Sequence, residues 1–141
     1  MIGPGAASPT SPIQSDLNPK DAIGSMKWRQ FTCVPFTVIW EVGVAMLEGA
    51  KKYGPFNWRK TEVRSSVYVD AALGHITQWQ EGEDDDPDSD LSHITKAITT
   101  LMVMRDAMIQ GKFIDERPPK TDLDKIRGHL QLRVDRIYGK R

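Results

Sequence analysis

Four stretches of the chain repeat apolar residues at the spacing of an α-helix, and none alternates with period two over any length. That restricts the fold to helices packed on helices. The first stretch begins near Pro35, which suits an early helix position because proline has no N–H to leave unpaired. Val38, Val42, Ala45, Met46 and Gly49 continue it, and Gly54-Pro55 ends it. The second is expected to be capped by Ser65 or Ser66 and to run to about Gln80, with Tyr68, Ala72, His75, Ile76 and Trp79 facing inward. The third takes its cap from Asp88, Ser89 or Asp90 and ends near Gly111. Its long apolar face is Leu91, Ile94, Ile98, Leu101, Met102, Arg105, Met108 and Ile109. Beyond the Pro118-Pro119 break, Thr121 caps a fourth helix striped by Leu123, Ile126, Leu130, Val134 and Ile137 and closed by Gly139. The prediction is an all-α helical bundle. The apolar faces of the third and fourth helices exceed what a small bundle covers, so a homo-oligomer is expected, the alternative being that the third helix is the central core helix.

Residues 1–16 are Gly, Ala, Ser, Pro and Thr with almost no large apolar side chains, and are expected to form a flexible tail before a single domain at 17–141. Nineteen basic side chains balance nineteen acidic ones. A zero net charge argues against a dedicated nucleic-acid binder. No apolar run reaches the roughly 18 residues of a membrane span, and the N-terminus lacks the pattern of a signal peptide. The single cysteine, Cys33, leaves no intramolecular disulfide and fits a reducing compartment. A soluble cytoplasmic protein is expected.

The charges are unevenly spread. Seven of the ten residues at 81–90 are acidic. Crowded carboxylates raise one another's pKa unless cations intervene, and a hard divalent ion such as Mg²⁺ or Mn²⁺ removes that penalty. An EF-hand is excluded: Asp84, Asp86 and Asp88 fit its first ligand positions, but Ser89 stands where glycine is required and Thr95 where glutamate is required. The acidic stretch joins the second and third helices. His75 lies on the inward face of one, and His93 lies one turn into the other, three residues after Asp90. Glu41 can come from a further helix. Carboxylates and imidazoles on facing helices are the usual components of a metal site in a bundle. A solvated acidic loop with two ordinary core histidines is the plainer alternative.

A second cluster lies at 51–60. Lys51, Lys52 and Arg59 offer charge to phosphates, Tyr53, Phe56 and Trp58 offer stacking faces, and Asn57 carries a donor and an acceptor for a purine edge. The plainer alternative is a turn whose aromatic residues plug the core. Together the two clusters suit a nucleoside polyphosphate. There is no GxxxxGK[ST] loop, so this is not a P-loop enzyme.

The string Asn18-Pro19-Lys20-Asp21-Ala22-Ile23-Gly24, then Glu41 with Gly49-Ala50-Lys51-Lys52-Tyr53-Gly54, then Asn57-Trp58-Arg59, resembles the phage dATP/dGTP diphosphohydrolases called MazZ. So do His75, Trp79, Gly82-Glu83-Asp84, Asp86-Pro87 and Leu91-Ser92-His93. That family is similar to the MazG-like all-α nucleoside triphosphate pyrophosphohydrolases. The resemblance implies an all-α fold of that type, assembled as a homodimer or homotetramer. It also implies two or three Mg²⁺ or Mn²⁺ ions held on acidic residues of neighbouring helices. The implied reaction hydrolyses dGTP, with dATP as a second substrate, to the monophosphate and pyrophosphate. In phages that replace adenine with 2-aminoadenine, the dGMP feeds synthesis of the modified base.

The chain departs from the pattern in places. It has no ExxE, and its ExxD, Glu83 to Asp86, falls in the acidic loop. Gly74, Asp90 and Lys96 stand where the family tends to have Arg, Gly and a second His. The resulting expectation places Glu41, Glu83, Asp86 and His93 as leading metal ligands, with His75 and Glu48 next. Glu41, Glu48 and Glu83 serve as catalytic carboxylates, Glu48 by orienting or deprotonating the attacking water. Lys51, Lys52 and Arg59 hold phosphates, Asn57 and Trp58 hold the base, and Asn18 and Lys20 join the substrate contacts. Two rival readings are a non-enzymatic interaction module and a phosphohydrolase with another product.

Overall fold

The computed structural model describes residues 18–28 and 30–139; the expected tail at 1–16 lies outside them. The described residues are all-α, with six helices. α1 (Pro19–Gly24) is capped by Asn18, whose Oδ1 accepts the Lys20 N–H at 2.9 Å. A 3₁₀ turn at Phe31–Cys33 precedes α2 (Phe36–Tyr53). The Pro35 carbonyl accepts the first helical N–H groups, from Val38 and Ile39. Val42 and Ala45 are buried, as their spacing requires. α2 stops before Gly54, whose φ of +90° is a left-handed conformation that glycine adopts without strain. Chain contacts divide into two compact units, one up to Val44 and one from Ala45 onward.

The second unit is built on α4 (Ser65–Gln80) and α5 (His93–Ile109), which pack along their length. They run antiparallel: His75 meets His93 near one end, while β1 (Val63–Arg64), just before α4, pairs with β4 (Phe113–Ile114), just after α5. Neither Ser65 nor Ser66 caps α4, contrary to the sequence expectation. Ser65 Oγ accepts the Glu116 N–H at 2.8 Å, and Ser66 Oγ donates to the Glu116 carboxylate at 2.7 Å. Both hydroxyls are used to bind the segment after β4 instead.

The acidic stretch is not an open loop. β2 (Asp85–Asp86) and β3 (Leu91–Ser92) form an antiparallel hairpin with Asp86 opposite Leu91. Asp86 Oδ1 accepts the Asp88 N–H at 3.0 Å, and its carbonyl accepts from Ser89 and Asp90. α5 is capped by Ser92, whose Oγ accepts the Ile94 N–H, and not by Asp88, Ser89 or Asp90. Those three are consumed by the hairpin turn, where Asp90 takes a φ of +58°.

The inward face of α5 also differs from expectation. Its buried residues are His93, Thr95, Ala97, Val103 and Ala107. Ile94, Ile98, Leu101, Met102, Met108 and Ile109 are 37 to 64 % exposed. Small residues let the two helices approach closely, and the bulky stripe faces away. In α4, Ala72 is buried, but Ile76 and Trp79 are exposed. Besides α1 and the hairpin, the parallel β1–β4 pair and α3 (Asn57–Lys60), within the basic-aromatic loop, were not foreseen. α6 (Leu123–Ile137) is capped by Asp122, not Thr121, through its Oδ1 and the Lys125 N–H. Its apolar stripe is 40 to 78 % exposed.

Candidate active site

Alternation along β2 sends Asp85 outward and Asp86 inward, where its carboxylate is 14 % exposed. His75 approaches from α4 and His93 from the first turn of α5. Donor atoms of His75, Asp86 and His93 all lie within 4.8 Å of one another. The two imidazoles meet Nδ1 to Nδ1 at 2.9 Å. On its other side, buried His93 holds Glu83, with Nε2 2.6 Å from Oε1. The Glu83 carboxylate can only accept, so His93 Nε2–H donates to it, and in the neutral ring this places the lone pair on Nδ1. This is the usual outer arrangement of a metal-binding histidine. Burial, then the nearby Lys96 charge, holds the His75 pKa below its ordinary value and keeps that ring neutral and able to ligate.

The donor set fits a divalent cation. The His75 and His93 imidazoles and the Asp86 carboxylate would hold it. Two imidazoles beside one carboxylate make the set softer than an all-oxygen site.

Lys96, one turn beyond His93, reaches the same place. Its Nζ lies 3.0 Å from Asp86 Oδ2, 3.2 and 3.3 Å from the two Glu48 oxygens, and 3.4 Å from Ser89 Oγ. Glu48 also accepts from Lys52 at 2.8 Å. The Lys52 hydrogen bond, with Lys96, holds the Glu48 carboxyl below its usual range. Asp86 is held down by the Asp88 N–H first and by Lys96 after it.

A cavity of about 550 Å³ opens beside this cluster, lined by Glu48, Lys52 and Lys96 at its charged side. Tyr53, Asn57, Trp58 and Tyr68 line it as well. The Trp58 Nε1 donates to Asp106 Oδ2 at 2.6 Å, and Arg59 grips both Asp106 oxygens at 2.8 and 3.0 Å. These bonds, Arg59 first, pull the Asp106 pKa down to about 2. The Arg59 guanidinium also lies 4.8 Å over the Phe56 ring. Arg59 is thus spent bracing the Trp58 wall.

Among the predicted site residues, Glu48, Lys52, His75, Glu83, Asp86, His93, Asn57 and Trp58 fall in or beside this cluster and cavity. Lys51 is exposed and outside the cavity lining. Asn18, Lys20 and Glu41 are exposed residues of the first unit, and the Asn18 side chain is engaged as a helix cap. Sequence reasoning noted Lys96 only as a departure from the family pattern and gave it no role, and it missed Asp106. The three-residue step from His93 to Lys96, which puts both on one helical face, was an available signal. Asp106 offered none, since its partners lie far away in the sequence.

The model of the dATP/dGTP diphosphohydrolase N-terminal family matches residues 17–117, which include every residue of the cluster and exclude α6. No curated protein and no solved structure matches the chain. No helix among the described residues is long and apolar enough to cross a membrane. The match spans most of the chain, so the chain belongs to the dATP/dGTP diphosphohydrolase family and is a nucleoside triphosphate pyrophosphohydrolase.

Proposed function

We propose that the chain hydrolyses dGTP, with dATP as a second substrate, to the monophosphate and pyrophosphate. The carrying observation is that the histidine–carboxylate–lysine cluster and the aromatic cavity share Glu48 and Lys96. A triphosphate can meet cations while its base enters the cavity. His75, Asp86 and His93 would hold a divalent ion, Mn²⁺ in preference to Mg²⁺, and Glu83 would fix the His93 ring. Bound there, such an ion would supply positive charge to the triphosphate and acidify a water molecule. Lys52 donates to phosphate oxygens, and the Lys96 ammonium adds positive charge beside them. Glu48, kept ionised by those lysines, is a weak base, so its part is to orient water toward the phosphoryl group as the α–β anhydride breaks. The Trp58 ring stacks on the base, Asn57 reads its edge, and Arg59 with Asp106 positions Trp58. From the resemblance the proposal also takes Glu41 as a further ion ligand, and Asn18, Lys20 and Lys51 as phosphate contacts.

The dGMP would feed 2-aminoadenine nucleotide synthesis in a phage, in the host cytoplasm. The exposed apolar stripes of α5 and α6 support assembly as a homodimer or homotetramer. The test is a panel of deoxynucleoside and ribonucleoside triphosphates with Mn²⁺, with products separated by ion exchange. Equimolar dGMP and pyrophosphate, abolished by EDTA and restored by Mn²⁺, is the expected result. Tripolyphosphate as product would end the pyrophosphohydrolase mechanism, and no turnover of any nucleotide would leave an interaction module.

A further inference from the structure

We propose that Lys96 is a tethered cation seated where a divalent ion would otherwise lie, so that this chain takes one ion fewer than its carboxylates would hold unaided. The inference rests on the metal-dependent reading above. Glu48 and Asp86 come from different elements, α2 and the hairpin, and two carboxylates converge only if positive charge lies between them. Here that charge is the Lys96 ammonium, 3.0 Å from Asp86 and 3.2 and 3.3 Å from the two Glu48 oxygens. It approaches Glu48 through both oxygens, as a chelated ion would. The three ammonium protons have three acceptor groups, Asp86, Glu48 and Ser89, so the group is saturated in place.

The seat is sheltered: the Lys96 side chain is 16 % exposed and anchored on α5, the helix whose buried face packs against α4. Lys52, by contrast, pairs with Glu48 from an exposed position. Asp86 is the shared group, facing the imidazole pair on one side and the ammonium on the other. The site therefore presents one exchangeable cation position on His75, Asp86 and His93 and, next to it, a positive charge that cannot dissociate. The same ammonium lines the cavity, where its charge attracts a phosphate group without leaving its three acceptors.

The test counts Mn²⁺ bound per full-length chain, by equilibrium dialysis with the free ion read by electron paramagnetic resonance. Wild type is compared with Lys96→Gln and Lys96→Arg, helical content being checked by circular dichroism. Lys96→Gln is expected to gain one ion per chain, while Lys96→Arg keeps the wild-type count. Equal, non-zero counts in all three overturn this proposal alone, as does an extra ion in Lys96→Arg. Counts of zero throughout overturn it together with the metal-dependent reading. A measurement on the unmodified chain guards against a variant that fails to fold. The ¹⁵N ammonium resonance of Lys96 is expected to keep its hydrogen-bonded shift when Mg²⁺ saturates the site, and its displacement overturns the proposal.

Discussion

Replacing Glu83 by glutamine tests whether this carboxylate acts through His93 or on the reacting groups directly. Glu83 Oε1 lies 2.6 Å from His93 Nε2, on the side of the ring away from the Nδ1 that faces His75. Glutamine preserves the shape and one acceptor oxygen but removes the charge, and a charge-assisted hydrogen bond is roughly twice as strong as a neutral one. Loss of such an outer partner typically costs about 10- to 100-fold in metal affinity, or roughly 1.4 to 2.7 kcal/mol. The effect on folding should be smaller. The Glu83 side chain is 46 % exposed, and ion pairs in that setting contribute about 0 to 1 kcal/mol. Isothermal titration with Mn²⁺ should therefore show the weaker affinity, with the metal-free melting temperature displaced by a few degrees at most. Turnover should fall steeply at limiting Mn²⁺ and recover at saturating Mn²⁺. An affinity within twofold of wild type would refute the orienting role. Lost turnover at saturating Mn²⁺ would place Glu83 on the ion or the water itself.

Two further outcomes follow from the same geometry. Burial and Lys96 hold the His75 pKa below its ordinary 6.5 in the folded protein. Between the folded and unfolded values the unfolded chain binds the extra proton, so stability rises with pH across that window. The contribution is fully present above about pH 6.5 and is lost as pH falls through the folded pKa. Urea denaturation of the metal-free protein from pH 5 to 8 should show this slope, and His75→Gln should flatten it. Ala107 on α5 has no exposed surface. Ala107→Leu should overfill its site and cost about 1 to 3 kcal/mol, read as a lower urea midpoint.

Local chemistry was legible where neighbours along the chain decide the outcome. The end of α2 at Tyr53, the span of α4 from Ser65 to Gln80 and the stop of α5 before Gly111 follow from glycine, proline and helical periodicity. The convergence of His75 and His93 was also readable, because a short connection between two helices forces the residues flanking it together. The caps were less legible. Ser65, Ser66 and Ser89 have the chemistry of capping residues, but their hydroxyls bond elsewhere: to Glu116 for the first two, to Leu91 and Lys96 for the third. The inward side of α5 was misread because hydrophobicity reports that a surface is to be covered, not what covers it. Ala97, Val103 and Ala107 lie within this chain's core while Ile94, Ile98 and Met102 face outward.

Periodicity and breaker residues were enough to dictate an all-α fold, and clustered charge was enough to mark the two segments that supply the candidate site, since both are properties of neighbouring residues and survive any arrangement of the helices. Selecting Asp86 from seven nearby acids required the hairpin, because strand alternation turns that one carboxylate inward and its neighbour Asp85 out. The partnerships of Lys96 with Glu48, and of Asp106 with Trp58 and Arg59, depended on packing α5 against distant segments. Such long-range pairs leave no mark on local composition, and their distances exist only once the chain has closed on itself.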